Sequence, residues 1–240
     1  MIIKVIASSS SGNCTYIHDG RTSLLLDAGI PYKKIWSALH FKVDADAALI
    51  THQHLDHCRA VPDLAKWATD VYAPPEVLEA LGLQGHHRCK SISSGVDDEG
   101  NIVKKIVVGS FTIVPFDCAH DVPNVGFYIH SSHTGENLLY FTDSFYLRHK
   151  FKDLHYILAE ANYSSDILDE NVRDGKIPAI LKGRVVSSHM ELDTLLNMLR
   201  VNDLSKVKRI YLLHLSDANS NAEEFKRRVA EETGCEVYVG

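Results

Sequence analysis

The apolar run Ala47-Ala48-Leu49-Ile50 passes through Thr51 into His52-Gln53-His54-Leu55-Asp56-His57. Three imidazoles and a carboxylate therefore crowd into one turn of backbone at the end of a buried strand. If the strand geometry continues, His52 and His54 project to the same side. Asp56 and His57 then lie in the following turn, where they can face a second ion. Imidazole with carboxylate is the donor set that borderline divalent metals take. A solvated polar loop is the bland alternative, and the position of the cluster directly after a strand argues against it.

The chain has 240 residues, enough for one large domain. No apolar stretch approaches the roughly 20 residues that span a bilayer. Met1-Ile2-Ile3-Lys4-Val5-Ile6 reads as a first strand and not as a signal peptide. The expectation is a cytoplasmic protein without membrane contact, in the host cytoplasm if phage-encoded. The five cysteines are scattered, with no C-x-x-C pair, which argues against a disulfide framework or a zinc ribbon. The formal net charge of −6 weakens the case for a long duplex substrate, because phosphate contacts need a basic face. Lys226-Arg227-Arg228 and Lys206, Lys208 and Arg209 are local exceptions.

The opening predicts strands over Ile2–Ala7, Cys14–His18 and Thr22–Asp27, with a Ser/Gly loop between the first two. Pro31 opens a helix through Leu39, and a further helix is expected from about His57 to Thr69. A short strand at Val71-Tyr72 and a helix to Leu81 follow. Strands are then predicted at Val103–Val108, Phe111–Phe116, Gly126–His130, Asn137–Phe141 and Tyr156–Ala159. The C-terminus predicts a strand–helix–strand unit, Arg209–Leu215, Ala222–Thr233 and Cys235–Val239, with Gly234 as the helix stop.

An H-x-H-x-D-H motif after a strand resembles the signature of the metallo-β-lactamase superfamily. Asp27 follows Leu24-Leu25-Leu26, His120 follows the Phe111–Phe116 run, Asp143 follows Leu138–Phe141, and His214 follows Ile210–Leu213. That order matches the family pattern. The resemblance implies an α/β fold, a four-layer αβ/βα sandwich, as one domain over 1–240. It also implies two divalent metal ions, zinc or else manganese. His52, His54 and His120 would hold one ion, Asp56, His57 and His214 the other, and Asp143 would bridge them. Asp27 would receive a ligand imidazole N–H. Superfamily members that process transfer-RNA 3′ ends have a His matching His189. That match implies a proton donor to the leaving oxygen, oriented by Glu160. Asp56, His189 and Glu160 are thus the expected catalytic groups.

Ser8-Ser9-Ser10-Ser11-Gly12-Asn13 could bring backbone N–H groups to an anion, with Ser10, Ser11 and Asn13 as candidate substrate contacts. With Leu24–Gly29, Glu160-Ala161-Asn162-Tyr163 and His214–Asn221, this loop resembles the WalJ/YycJ-like branch, which is associated with DNA exonuclease activity. Ser187-Ser188-His189-Met190-Glu191 departs from the usual G-H-L-S-N of that branch. Compact phage enzymes that degrade cyclic-nucleotide signals, the anti-Pycsar phosphodiesterases, carry similar motifs. The expected activity is metal-dependent phosphodiester hydrolysis. Small or cyclic nucleotides are favoured as substrate, a DNA or RNA end is the alternative, and a non-catalytic metal-binding scaffold is a third reading. Relatives implied by the resemblance are often homodimers.

Overall fold

A computed structural model of the chain describes residues 1–41 and 43–240. These fall into two compact units, Met1–Asp117 with Val122–Glu136 and Cys118–Asp121 with Asn137–Gly240.

The first unit carries β1 (Ile2–Ala7), β2 (Cys14–His18), β3 (Ser23–Leu26), α1 (Tyr32–Ala38), β4 (Ala47–Leu49), α2 (Leu55–Cys58) and α3 (Val61–Lys66). It continues with β5 (Asp70–Ala73), α4 (Pro75–Ala80), β6 (Cys89–Ser91), β7 (Ile106–Val108), β8 (Phe111–Cys118, whose last residue falls in the second unit) and β9 (Asn124–Ser131). Its six-stranded sheet runs in the order β1 to β6. The β1–β2 and β2–β3 pairs are antiparallel, and β3 to β6 are parallel. Parallel neighbours require crossovers, which α1, α2 with α3, and α4 supply. β3 and β4 are buried along their whole length, as continuous apolar runs in parallel sheets are. Their core includes Leu25, Ala48, Ile50, Val71, Ile35, Leu64 and Val77. β7 and β8 form a hairpin across Gly109-Ser110.

The second unit carries β10 (Asn137–Phe141), β11 (Tyr156–Glu160), α5 (Ser165–Arg173), α6 (Ala179–Ser188), α7 (Leu192–Arg200), β12 (Arg209–Leu213), α8 (Ala222–Thr233) and β13 (Glu236–Val239). β10, β11, β12 and β13 are consecutive neighbours and all parallel. Phe141 pairs with Ala159, and Glu160 pairs with Leu213. That register brings the polar residues after each strand to one edge, where ligands of parallel sheets bind. α8 starts at Asn221, whose side chain accepts the Glu224 N–H at 3.1 Å, and ends at Gly234 in the left-handed region.

The helix expected from His57 to Thr69 is two short helices. The Ala60 N–H leaves the helical ladder to bond Ala28 O at 2.8 Å, and Pro62 has no N–H to continue it. The Val103–Val108 strand shortens to β7 because the Val103 N–H bonds Gly95 O instead. β6, α5 and α6 lie in stretches where the sequence pattern predicts no element.

Candidate metal centre

In the first unit the H-x-H-x-D-H motif starts at His52, two residues after Ile50, and turns into α2. Asp27, one residue after β3, adopts φ of 57° and is fully buried. Its Oδ1 accepts Thr51 N–H at 2.9 Å, and its Oδ2 accepts His57 Nδ1–H at 2.8 Å. That bond leaves the His57 lone pair on Nε2, which lies 3.0 Å from the Asn13 amide nitrogen and 3.4 Å from Asp56 Oδ2. Thr51 Oγ1 donates to Asp27 and sits 3.0 Å from His52 Nδ1, so His52 gives its Nδ1 proton to the hydroxyl. His52 Nε2 then points at His54 Nδ1, 3.0 Å away. An imidazole whose Nδ1–H is held by a neighbouring oxygen, as in His52 and His57, is oriented the way metal-ligating histidines are.

Gly29 makes this packing possible. A Cβ there would lie 1.5 Å from Asp56 O, so only glycine lets the Asp27-Ala28-Gly29 turn close against the motif. Asn13 N–H holds the same Asp56 O at 2.7 Å, and the Ala28 N–H holds His57 O at 2.8 Å.

In the second unit Asp143 and His214, close after β10 and β12, adopt φ of 50° and 54°. Such backbone is costly for residues with a Cβ and gathers at functional sites. Glu160 closes β11 and is fully buried. Its Oε2 accepts Ser144 N–H at 2.9 Å and Met190 N–H at 3.1 Å. Its Oε1 lies 2.7 Å from His189 Nδ1 and 3.0 Å from His214 Nδ1. Asp143 Oδ1 lies 3.0 Å from each of the same two nitrogens. Burial works against ionising Glu160, but the charge of His189 together with hydrogen bonds from His189 and His214 holds the carboxyl below its ordinary range. Burial likewise opposes a charge on His189, and Glu160 with Asp143 overcomes it, raising the imidazole to about 9. Donor atoms of Asp143, Glu160, His189 and His214 all lie within 4.8 Å of one another. Asp143 and His214 offer the carboxylate and imidazole donors that suit a divalent cation, while His189 turns its Nδ1 to Glu160 and Asp143. His120 donates Nδ1–H to Ser188 O at 3.0 Å, and its Nε2 lies 3.0 Å from Asp121 Oδ1.

The residues named from sequence thus form two groups. Asp27, His52, His54, Asp56 and His57 cluster in the first unit, and Asp143, Glu160, His189 and His214 in the second. Ser10 and Ser11 are exposed at a loop tip tied to Ser9, with the Ser9 and Ser11 hydroxyl oxygens 2.7 Å apart. Asn13 instead turns inward, toward Ser9 O at 3.1 Å and His57. Sequence reasoning misses Thr51 and Asn162. Thr51 connects Asp27 to His52, and the Asn162 amide donates to His214 O at 2.8 Å. Their positions, next to His52 and two residues after Glu160, are the available signal. All five cysteines are free thiols. Burial, then Asp27, pushes Cys58 up to about 11, as expected of an inert packing residue.

The β-lactamase superfamily domain profile matches residues 23–215. The exodeoxyribonuclease WalJ of Streptococcus pneumoniae serotype 2 is 31% identical over 231 residues, covering 91% of this chain and 83% of that protein. The exodeoxyribonuclease YycJ of Bacillus anthracis is 27% identical over 249 residues, covering 97% and 90%. The crystal structure of the metallo-β-lactamase fold protein YhfI from Bacillus subtilis superposes with a TM-score of 0.71 at 16% identity, over 99% of this chain and 95% of that one. With a strand-end H-x-H-x-D-H motif, imidazoles poised as ligands and a profile match across both units, the chain belongs to the metallo-β-lactamase superfamily.

Proposed function

We propose that the chain is a metal-dependent phosphodiesterase that hydrolyses nucleic-acid ends. The observation that carries this reading is the His189–Glu160 pair at 2.7 Å, with Glu160 held by two backbone N–H groups. Hydrolysis of a phosphodiester expels an alkoxide, which needs a proton. His189 faces Glu160 and Asp143 through Nδ1, so Nε2 is the atom that can deliver it. The exodeoxyribonuclease names of the WalJ and YycJ relatives support a DNA substrate.

His52, His54 and His120 are assigned to one ion, Asp56, His57 and His214 to a second, and Asp143 to both. The ions, zinc in the first instance and manganese as the alternative, would supply an acidic water and charge for the phosphate oxygens. Asp27 fixes the His57 proton on Nδ1 and so keeps Nε2 available. Glu160 orients His189 and keeps its proton on the reacting side. Among the described residues no helix is long and apolar enough to cross a membrane. The five thiols support a reducing, cytoplasmic setting. Cyclic mononucleotides are the second reading, favoured by the net charge of −6.

The test is a panel assay of metal-loaded protein on single- and double-stranded oligonucleotides, cyclic CMP, UMP, AMP and GMP, and bis(p-nitrophenyl) phosphate. Asp56→Ala serves as the blank. Release of mononucleotides from an oligonucleotide end is expected. Cleavage confined to cyclic nucleotides would move the reading to the second substrate. Failure on every phosphodiester would leave a non-catalytic scaffold.

A further inference from the structure

The chain has two tryptophans, and both line one cleft in the first unit. Trp36 on α1 is 42% exposed, and Trp67 at the end of α3 is 62% exposed. Large aromatic side chains are normally buried, and an exposed pair around one cleft marks a contact surface. The cleft has a volume of about 810 Å³, within the range of ligand sites.

Its rim is cationic. Lys33, Arg59 and Lys66 line it, against one carboxylate, Asp63. Lys66 Nζ sits 5.9 Å from the centre of the Trp67 ring. Trp36 is braced edge-on by Phe41, with ring centres 4.9 Å apart. The whole chain carries −6, so a local surplus of positive charge between two indoles is a departure from its average surface. Arg59 caps α2, the helix that carries Asp56 and His57, two residues after His57.

We infer that this cleft docks single-stranded DNA, with bases stacked on Trp36 and Trp67 and phosphates met by Lys33, Arg59 and Lys66. Flat rings take any base on their faces, and cations follow the backbone, which is the combination that single-strand binding uses. The cleft would hold the strand leading to or from the cleaved end, beside the helix of the motif. The inference rests on the phosphodiesterase reading for its substrate and extends it to a specific surface.

The test uses tryptophan emission of the full chain as purified, which reports only on this cleft because it contains both indoles. Nuclease-resistant phosphorothioate dT12 is expected to quench the emission, and an abasic strand of the same length is not. Fluorescence anisotropy of labelled dT12 is expected to show binding about tenfold weaker or more for Trp67→Ala, and within about threefold of the parent for Trp67→Phe. The salt dependence is expected to have a log–log slope of about −2, for three phosphate contacts. Unchanged emission, equal quenching by the abasic strand, or parent-like binding by Trp67→Ala would overturn the inference. So would a dimer in sedimentation that Trp67→Ala dissolves, since the cleft would then be a contact between copies. Hydrolysis of bis(p-nitrophenyl) phosphate by the parent protein is scored separately. Its absence counts against the phosphodiesterase reading whatever the cleft does, and its presence without dT12 quenching counts against the cleft alone.

Discussion

Asp27 Oδ2 accepts a hydrogen bond from His57 Nδ1–H at 2.8 Å, in a site where both side chains are fully buried. Thirty positions separate them, and the contact exists because β3 and β4 are parallel neighbours with Leu26 level with Leu49. Removing the carboxylate frees the ring to rotate and to exchange tautomers. Asp27→Ala is expected to weaken metal binding about 10- to 100-fold. Calorimetric metal titration checks this, and Asp27→Asn should fall between the two because it retains an acceptor for Thr51.

Gly29 and Gly183 make opposite demands on a methyl group. A Cβ at Gly29 collides with Asp56 O, whereas one at Gly183, inside α6, meets nothing within 4 Å. Gly29→Ala is expected to destabilise by about 1–3 kcal/mol and to reduce metal affinity by shifting the motif turn. Gly183→Ala is expected to stabilise by about 0.5–1 kcal/mol through helix propensity. Denaturant unfolding of both variants tests the pair together.

His189→Gln removes the proposed proton donor but leaves the assigned metal ligands in place. Turnover of an oligonucleotide is expected to fall about 10²- to 10⁴-fold. The loss with bis(p-nitrophenyl) phosphate should be much smaller, because p-nitrophenolate leaves without a proton. Equal losses on both substrates, or loss of bound metal by elemental analysis, would mean that His189 acts as a ligand.

Asp19 ties three turns of the first unit together. Its Oδ1 accepts Arg21 and Thr22 N–H, both at 2.9 Å, and its Oδ2 accepts the hydroxyls of Ser110 at 2.6 Å and Ser131 at 2.5 Å. Burial opposes the charge, but the two hydroxyls and the amides outweigh it and hold the carboxyl well below its ordinary range. A depressed folded value means the stabilisation is complete above the unfolded value of about 3.9 and is lost as pH falls below it. Asp19→Asn is expected to cost about 1–2 kcal/mol at neutral pH. Unfolding curves of parent and variant should draw together as the pH is lowered below about 4.

The strand–helix–strand unit at the C-terminus is legible in the sequence because its apolar runs are short, flanked by turns and joined by a well-capped helix. Ile210–Leu213 and the pair Phe225 and Val229 are the cases in point. The proposed ligand residues stand out in the sequence for a related reason, since Asp27, His52, Asp143 and His214 each come close after an apolar run. What stays hidden depends on contacts between distant segments. The break between α2 and α3 is made by a bond from Ala60 to Ala28, and Thr51 acquires its role only when β3 brings Asp27 alongside. Asn13 reads as a loop residue for an anion, yet it turns inward because Asp56 O and the His57 ring offer its amide partners. Trp36 and Trp67 each follow a lysine within three positions, a signal that gains meaning only when α1 and α3 share a cleft.

The proposed chemistry requires the imidazoles and carboxylates of both units to serve one pair of ions. Anomalous X-ray diffraction from crystals of the zinc- or manganese-loaded protein decides this. Two metal peaks per chain are expected, with His52, His54 and His120 around one, Asp56, His57 and His214 around the other, and Asp143 touching both. A fully loaded crystal with no peak at these residues, or with ions bound by one unit's residues alone, would contradict it.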